Sequence, residues 1–226
     1  MPKARQAHPH GPLTRRKVPL DDLRTHLAAH YGPLGWWPGE SPFEVLVGAV
    51  LTQNTAWKNV EKAIANLKGA KVLDLHSIDR LPDRQLARLL KPAGYFNVKT
   101  RRLKSLVRHV VSRHGSLEAM FGQPMEALRA ELLEVHGVGP ETADSILCYA
   151  AGQPSFVVDA YTRRILARHN LVEPDISYEP LRRFSMERIP ASVSVYNEFH
   201  AALVAVGNRH CRPSPRCEGC PLEKFL

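Results

Sequence analysis

Apolar positions along the chain fall into short helical stripes separated by proline and glycine. They recur every three or four residues over 20–31 (Leu20, Leu23, Leu27, Ala28), 58–67, 80–91, 97–114, 124–135, 178–189 and 192–207, the spacing of one buried helix face. Residues 43–55 differ. Phe43 to Leu51 is almost wholly apolar and runs into Thr52-Gln53-Asn54-Thr55, which predicts a helix buried on all sides with a polar end. Only Phe156-Val157-Val158 reads even faintly as strand. The expected fold class is all-α.

Two helical stripes meet at Gly137-Val138-Gly139, which predicts a tight link with both glycines at positive φ. Pro140 suits the first turn of the following helix, where its missing N–H would have had no partner. Such a turn presents backbone N–H groups and a positive dipole end, a seat for one phosphate. A lone Gly-x-Gly is equally compatible with an ordinary helix–helix turn. Asp159 directly follows Phe156-Val157-Val158 and precedes a helix carrying Arg163, Arg164 and Arg168. A carboxylate there is either a helix N-cap or a reactive group.

Charge narrows the partners. The chain has 226 residues, room for one large domain or two small ones, and an ordinary globular balance of 23% charged and 44% apolar residues. A net charge of +9 and a pI near 9.6 favour a polyanion without choosing between DNA, RNA and an anionic membrane. No apolar run reaches membrane-spanning length and no signal-peptide core is present, so a cytoplasmic, nucleoid-associated protein is expected. Residues 1–18, basic and rich in Pro and Gly, read as a flexible arm with loose phosphate attraction.

Three further stretches carry candidate chemistry. Trp36-Trp37-Pro38 lies in a loop set by Gly32-Pro33 and Gly39; the indoles either pack in the core or form a pocket for a flipped base. Indole faces also attract cationic rings, and Trp57 is a third aromatic for such a pocket. Gly94-Tyr95-Phe96 precedes a basic helix (Lys99, Arg101, Arg102, Lys104, Arg108) and can push a side chain into a base stack, the alternative being Phe96 in the core beside a solvated basic face. Cys211, Cys217 and Cys220 form Cys-x5-Cys-x2-Cys among Arg212 and Arg216, a clustering that argues for metal over disulfide inside a cell. Cys148 lies in an apolar helix and reads as core, while Asn197, Glu198 and His200 read as structural.

Glycine hairpin, helix and Val157-Val158-Asp159 at this distance resemble the helix-hairpin-helix Gly/Pro-Asp superfamily of base-excision DNA glycosylases, over roughly Trp36 to Cys220. The resemblance implies two helical domains with a DNA-binding cleft between them: a helical barrel over 34–153, and a second domain joining 19–33 to 154–226 with the cysteine loop at 211–220. It implies that Gly137, Val138 and Gly139 hold backbone phosphate, that Asp159 serves the glycosidic bond, that Gln53 enters the gap left in the duplex, and that Tyr95 is the wedge. Lys99, Arg212 and Arg216 are expected on DNA. Trp36-Trp37-Pro38 is similar to the pocket stretch of the monofunctional 3-methyladenine branch, with Trp57 and Glu141 joining the base pocket.

Bifunctional members carry a lysine where Glu141 stands, and a carboxylate cannot form an imine, so the lyase route through this residue is closed. Glu141 adds negative potential near a cationic base or makes a helix-start interaction. The cysteines resemble the family's C-terminal [4Fe–4S] loop, but its fourth cysteine falls on Leu226. Thiolate ligation normally takes four cysteines. A three-cysteine cluster, a fourth ligand from elsewhere, zinc with a histidine such as His210, and a vestigial loop all stay open. The expectation is a monomeric, monofunctional DNA glycosylase for alkylated purines such as 3-methyladenine, acting on double-stranded DNA, with a structural [4Fe–4S] cluster. The alternatives are an endonuclease III-like glycosylase for oxidised pyrimidines or mismatched bases, and a non-catalytic binder of damaged or abasic DNA.

Overall fold

The computed structural model describes residues 19–226; the basic stretch 1–18 lies outside the described residues. Twelve α-helices follow in order: α1 (Leu20–Tyr31), α2 (Pro42–Leu51), α3 (Trp57–Gly69), α4 (Leu75–Arg80), α5 (Asp83–Leu90), α6 (Phe96–Arg113), α7 (Leu117–Phe121), α8 (Met125–Glu134), α9 (Pro140–Ser145), α10 (Ala160–Arg168), α11 (Tyr178–Met186) and α12 (Val193–Arg209). α9 continues into a π turn over Ile146–Ala150. No strand forms among the described residues. Phe156–Val158 is extended but pairs with no neighbour; its side chains are buried as packing.

Local chemistry sets several boundaries. Ser41 caps α2 by accepting from the Glu44 N–H, and Pro42 occupies its first turn. The helix expected over 43–55 stops at Leu51, and Thr52–Thr55 turn away with Asn54 at φ 54°. The stripe over 80–91 begins as helix only at Asp83, because Leu81, which precedes Pro82, is held extended (φ −61°, ψ 129°).

Side chains gather in two cores. One is built around the fully buried α2 with residues of α3 to α9. The other joins Leu20, Leu23 and Leu27 of α1 to Cys148, Phe156–Val158 and helices α10 to α12. A buried polar network ties the two across α8, α9 and α11. Asp144 accepts Arg129 Nε at 2.8 Å and Arg129 Nη2 at 3.0 Å, the Tyr178 hydroxyl at 2.8 Å and the Ser155 hydroxyl, with Arg182 Nε at 3.2 Å.

The basic stretch of α6 does not form one solvated face. Lys99, expected on DNA, is 1% exposed; its ammonium donates to Leu51 O at 2.8 Å and Ala93 O at 2.7 Å, closing the C-terminal end of α2. Lys104 is likewise buried, donating to Asp79 O at 2.7 Å. The apolar flank of α6 has to face the core, and these two lysines share that side, so their ends are satisfied by carbonyls. Burial lowers the pKa of both. Arg101 and Arg108 remain exposed.

Candidate active site

The link between α8 and α9 forms one wall of an open cleft of about 920 Å³. Gly137 has φ 88°, and a Cβ there would overlap the Arg102 side chain. Gly139 does not take the expected positive φ: it is extended (φ −99°, ψ 176°), and a Cβ on it would meet nothing within 4 Å. Its missing side chain therefore keeps clear the approach to the first N–H groups of α9, a face suited to a phosphate. Val138 is buried in the core and anchors the turn. Gln53 braces it from the end of α2, donating through Nε2 to Gly137 O at 3.0 Å and Thr142 Oγ1 at 2.9 Å while Oε1 accepts Arg102 Nη1 at 2.5 Å. Beyond the hairpin, Tyr95 stands 73% exposed in a left-handed conformation (φ 43°) at the tip of its turn.

Asp159 opens onto the same cleft. It divides its two oxygens: Oδ1 accepts the Thr162 N–H at 2.7 Å and caps α10, while Oδ2 lies 3.6 Å from His200 Nε2 on α12. The cap and the reactive group proposed as alternatives are thus compatible in one side chain. Burial would raise the Asp159 pKa, but the His200 ring and the Thr162 amide outweigh it and hold the carboxyl below its ordinary value. His200 is 4% exposed, and its Nδ1 lies 2.8 Å from the Tyr149 hydroxyl. Burial pushes the Tyr149 pKa well up, so the hydroxyl keeps its proton. The other ring nitrogen of His200 faces the Asp159 carboxylate.

Trp36 and Trp37, joined by a cis peptide, pack behind this group. Trp37 stacks on Tyr149 (centroids 5.3 Å apart, planes 27° apart) and meets Trp57 edge-on at 4.9 Å; Trp36 lies edge-on to Trp37 at 5.6 Å and to His200 at 6.1 Å. Gly48 on α2 makes the room, since a Cβ there would lie 3.2 Å from Trp37 Nε1 and 3.4 Å from Trp57. The indoles cover one another and do not line the cleft; Glu141 does, and Pro38 is exposed. Glu141 opens to solvent on the cleft side while protein desolvates it on the others. That burial, followed by the negative charge of Asp159, raises its pKa. The two carboxyls are pushed in opposite directions.

In the tail, Cys211, Cys217 and Cys220 line one small cavity of about 30 Å³ together with His210 and Leu226. α10 clamps the loop: Arg168 donates to Cys211 Sγ at 3.2 Å, Arg212 O at 2.6 Å and Pro213 O at 2.8 Å, and Arg164 to Cys211 O at 2.6 Å. The residues present supply three of the four thiolates a [4Fe–4S] cluster normally takes. Leu226, at the fourth place, has no donor in its side chain, whereas His210 offers a ring nitrogen. Arg212 and Arg216 are exposed. Cys148 is buried in the second core, its thiol pushed up to about 12 by burial.

Sequence reasoning missed His200 and Tyr149. A signal was present: His200 falls on the apolar stripe of α12 with Tyr196, Phe199 and Leu203, where a polar residue needs a buried partner. Nothing along the chain named that partner.

Residues 47–191 match the family described as the HhH-GPD superfamily base excision DNA repair protein. A Methanocaldococcus jannaschii protein assigned as a DNA repair glycosylase is 42% identical over 201 residues, 88% of this chain and 91% of its own. Endonuclease III of Thermotoga maritima is 30% identical over 186 residues, 80% of this chain and 81% of that one. Among solved structures, H. pylori 3-methyladenine DNA glycosylase bound to 1,N6-ethenoadenine superposes with a TM-score of 0.73 at 28% identity, over 83% of this chain and 96% of that one. A non-covalent endonuclease III–DNA complex shares the fold, with a TM-score of 0.77 at 24% identity over 91% of this chain and 92% of that one. No described helix is long and apolar enough to cross a membrane.

Proposed function

Because the chain belongs to the HhH-GPD superfamily of base excision DNA repair proteins and is a DNA repair glycosylase, we propose that it hydrolyses the N-glycosidic bond of alkylated purines such as 3-methyladenine, without nicking the strand. The observation behind this is the aromatic cluster of Trp36, Trp37, Trp57 and Tyr149, which meets His200 through Trp36 and Tyr149, with His200 in turn 3.6 Å from Asp159. The two cores are taken as two domains, with duplex DNA across the cleft between them.

The hairpin, braced by Gln53, holds the strand, and Tyr95 enters the stack. The damaged nucleotide turns out at a cost of about a few kcal/mol, less than for an intact base. A base alkylated at N3 or N7 is cationic and stacks on indole faces; the packed indoles separate to admit it. As C1′–N lengthens, the bonding pair moves onto the base and discharges its positive nitrogen, so little acid assistance is needed. Positive charge grows on the sugar instead, where the ionised Asp159 stabilises it, with His200 orienting the carboxylate. Water forms the new bond to C1′ and releases its proton to solvent, leaving a neutral sugar hydroxyl and a neutral base. Among the described residues lining the cleft there is no lysine, and Lys99 is held by two carbonyls. Glu141 adds negative potential facing the cationic base. Cys211, Cys217 and Cys220, with His210 as a further donor, would hold a [4Fe–4S] cluster that supplies rigidity to a loop presenting Arg212 and Arg216 to phosphate.

A second reading, excision of oxidised pyrimidines, draws on the 30% identity to an endonuclease III. A lesion-panel assay with and without hot alkali separates the two. Release of free 3-methyladenine, with strand breaks only after alkali, is expected. Release of thymine glycol and no methylpurine would replace the first reading by the second, and breaks before alkali would show an amine that reaches C1′.

A further inference from the structure

Away from the cleft, three side chains converge that base excision does not use. His109 lies near the end of α6, His114 closes that helix, and Glu131 projects from α8. Positions five apart on an ideal helix point about 140° away from each other. At His114, however, the chain leaves the helical path (φ −124°, ψ −23°) and the second imidazole swings back. Both Nε2 atoms stand 2.5 Å from Glu131 Oε1, and the three ligand atoms lie within 4.8 Å of one another. The other carboxylate oxygen accepts Gln123 Nε2 at 3.0 Å. Side-chain exposures of 19%, 12% and 8% for His109, His114 and Glu131 keep the group mostly out of water.

Two ring nitrogens crowd one oxygen, closer than the usual N–H···O range of about 2.7–3.2 Å. A small spreading would set all three around one ion at about 2.0–2.2 Å. We propose that His109, His114 and Glu131 bind a divalent metal of borderline softness, zinc foremost, with Gln123 orienting the carboxylate from behind. Two imidazoles and a carboxylate suit zinc; calcium and magnesium take oxygen ligands throughout. Each imidazole ligates through Nε2 with its remaining proton on Nδ1. Arg113 Nε, 3.9 Å from Oε1, belongs to a side chain 61% exposed that can turn into solvent and leave the fourth position to water. The ion would fasten the end of α6 to α8, the helix that leads into Gly137. It stiffens the hairpin and takes no part in the chemistry. The proposal is independent of which base is excised.

The test uses the full chain, stripped with chelator and reloaded with zinc, beside His114→Ala and Gln123→Ala. Bound zinc per protein and the zinc-induced rise in melting temperature are measured. Wild type is expected to hold one zinc more than His114→Ala, the cysteine loop contributing equally to both. Gln123→Ala is expected to bind that zinc about 10–100-fold more weakly, as loss of an outer-shell partner does. Equal zinc content and equal thermal shift in all three proteins would overturn the proposal. Should His114→Ala not fold, X-ray absorption on zinc-loaded wild type decides. A zinc with nitrogen and oxygen neighbours near 2.0–2.2 Å supports the site; sulfur neighbours alone, or no retained zinc, refutes it.

Discussion

On the proposed reading Asp159 has two jobs, one per oxygen, and two substitutions pull them apart. Asn keeps a side-chain oxygen for the Thr162 N–H, and Asn and Asp cap helices about equally well. Asp159→Asn should therefore melt within about 1 °C of wild type, since a few tenths of a kcal/mol moves a chain of this size little. What it loses is charge. A carboxylate about 4 Å from the sugar cation, at an effective dielectric near 20, contributes about 4 kcal/mol. That corresponds to roughly a thousandfold in rate. Asp159→Ala should lose the same rate and also the cap, about 1 kcal/mol or about 2–4 °C in Tm. Single-turnover release of methylpurine at saturating enzyme measures the rate, and thermal unfolding the cap. pH adds a check. Because the Asp159 pKa is held below its ordinary 3.8, the group stays ionised as pH falls and loses activity only below that value. A flat acid side between about pH 5 and 8 is expected from this residue. Asp159→Asn retaining more than about a tenth of the wild-type rate would refute the electrostatic role, as the Coulomb figure leaves no room for so small a loss.

Two further outcomes follow from packing. Asp144→Ala removes the carboxylate that Arg129 and Arg182 share in the interior, stranding two guanidinium groups; urea unfolding should show a loss of about 3–5 kcal/mol, and a loss under about 1 kcal/mol would mean the arginines find other partners. The hairpin glycines should separate: Gly137→Ala, at φ 88° and against Arg102, is expected to cost about 1–3 kcal/mol of stability, whereas Gly139→Ala should leave Tm unchanged yet weaken binding to undamaged duplex several-fold, because its Cβ fills only the space left for phosphate. Unchanged duplex affinity of Gly139→Ala would move the phosphate seat elsewhere.

Much of this protein is written along the chain. Most helices announce themselves by apolar period, the short α4 and α7 excepted, and the hairpin by Gly137-Val138-Gly139-Pro140. Glu141 and Asp159 are marked by resemblance to the family's hairpin-and-aspartate motif, and the cysteines by their own spacing. The helix, hairpin and cysteine signals are local, since neighbouring residues constrain one another's dihedrals or share one turn. Which way a polar side chain faces is not local. Lys99 and Arg101 lie two positions apart on one basic helix, yet only the packing of α6 on α2 sends the first ammonium inward to Leu51 O and leaves the second in water. The partnership of Asp159 with His200 and Tyr149, the meeting of three indoles over Gly48, and the closure of His109 and His114 on Glu131 each need helices distant in sequence to cross at a fixed angle. Those angles come from filling two cores without voids, a condition on the whole set of side chains that no window of sequence contains.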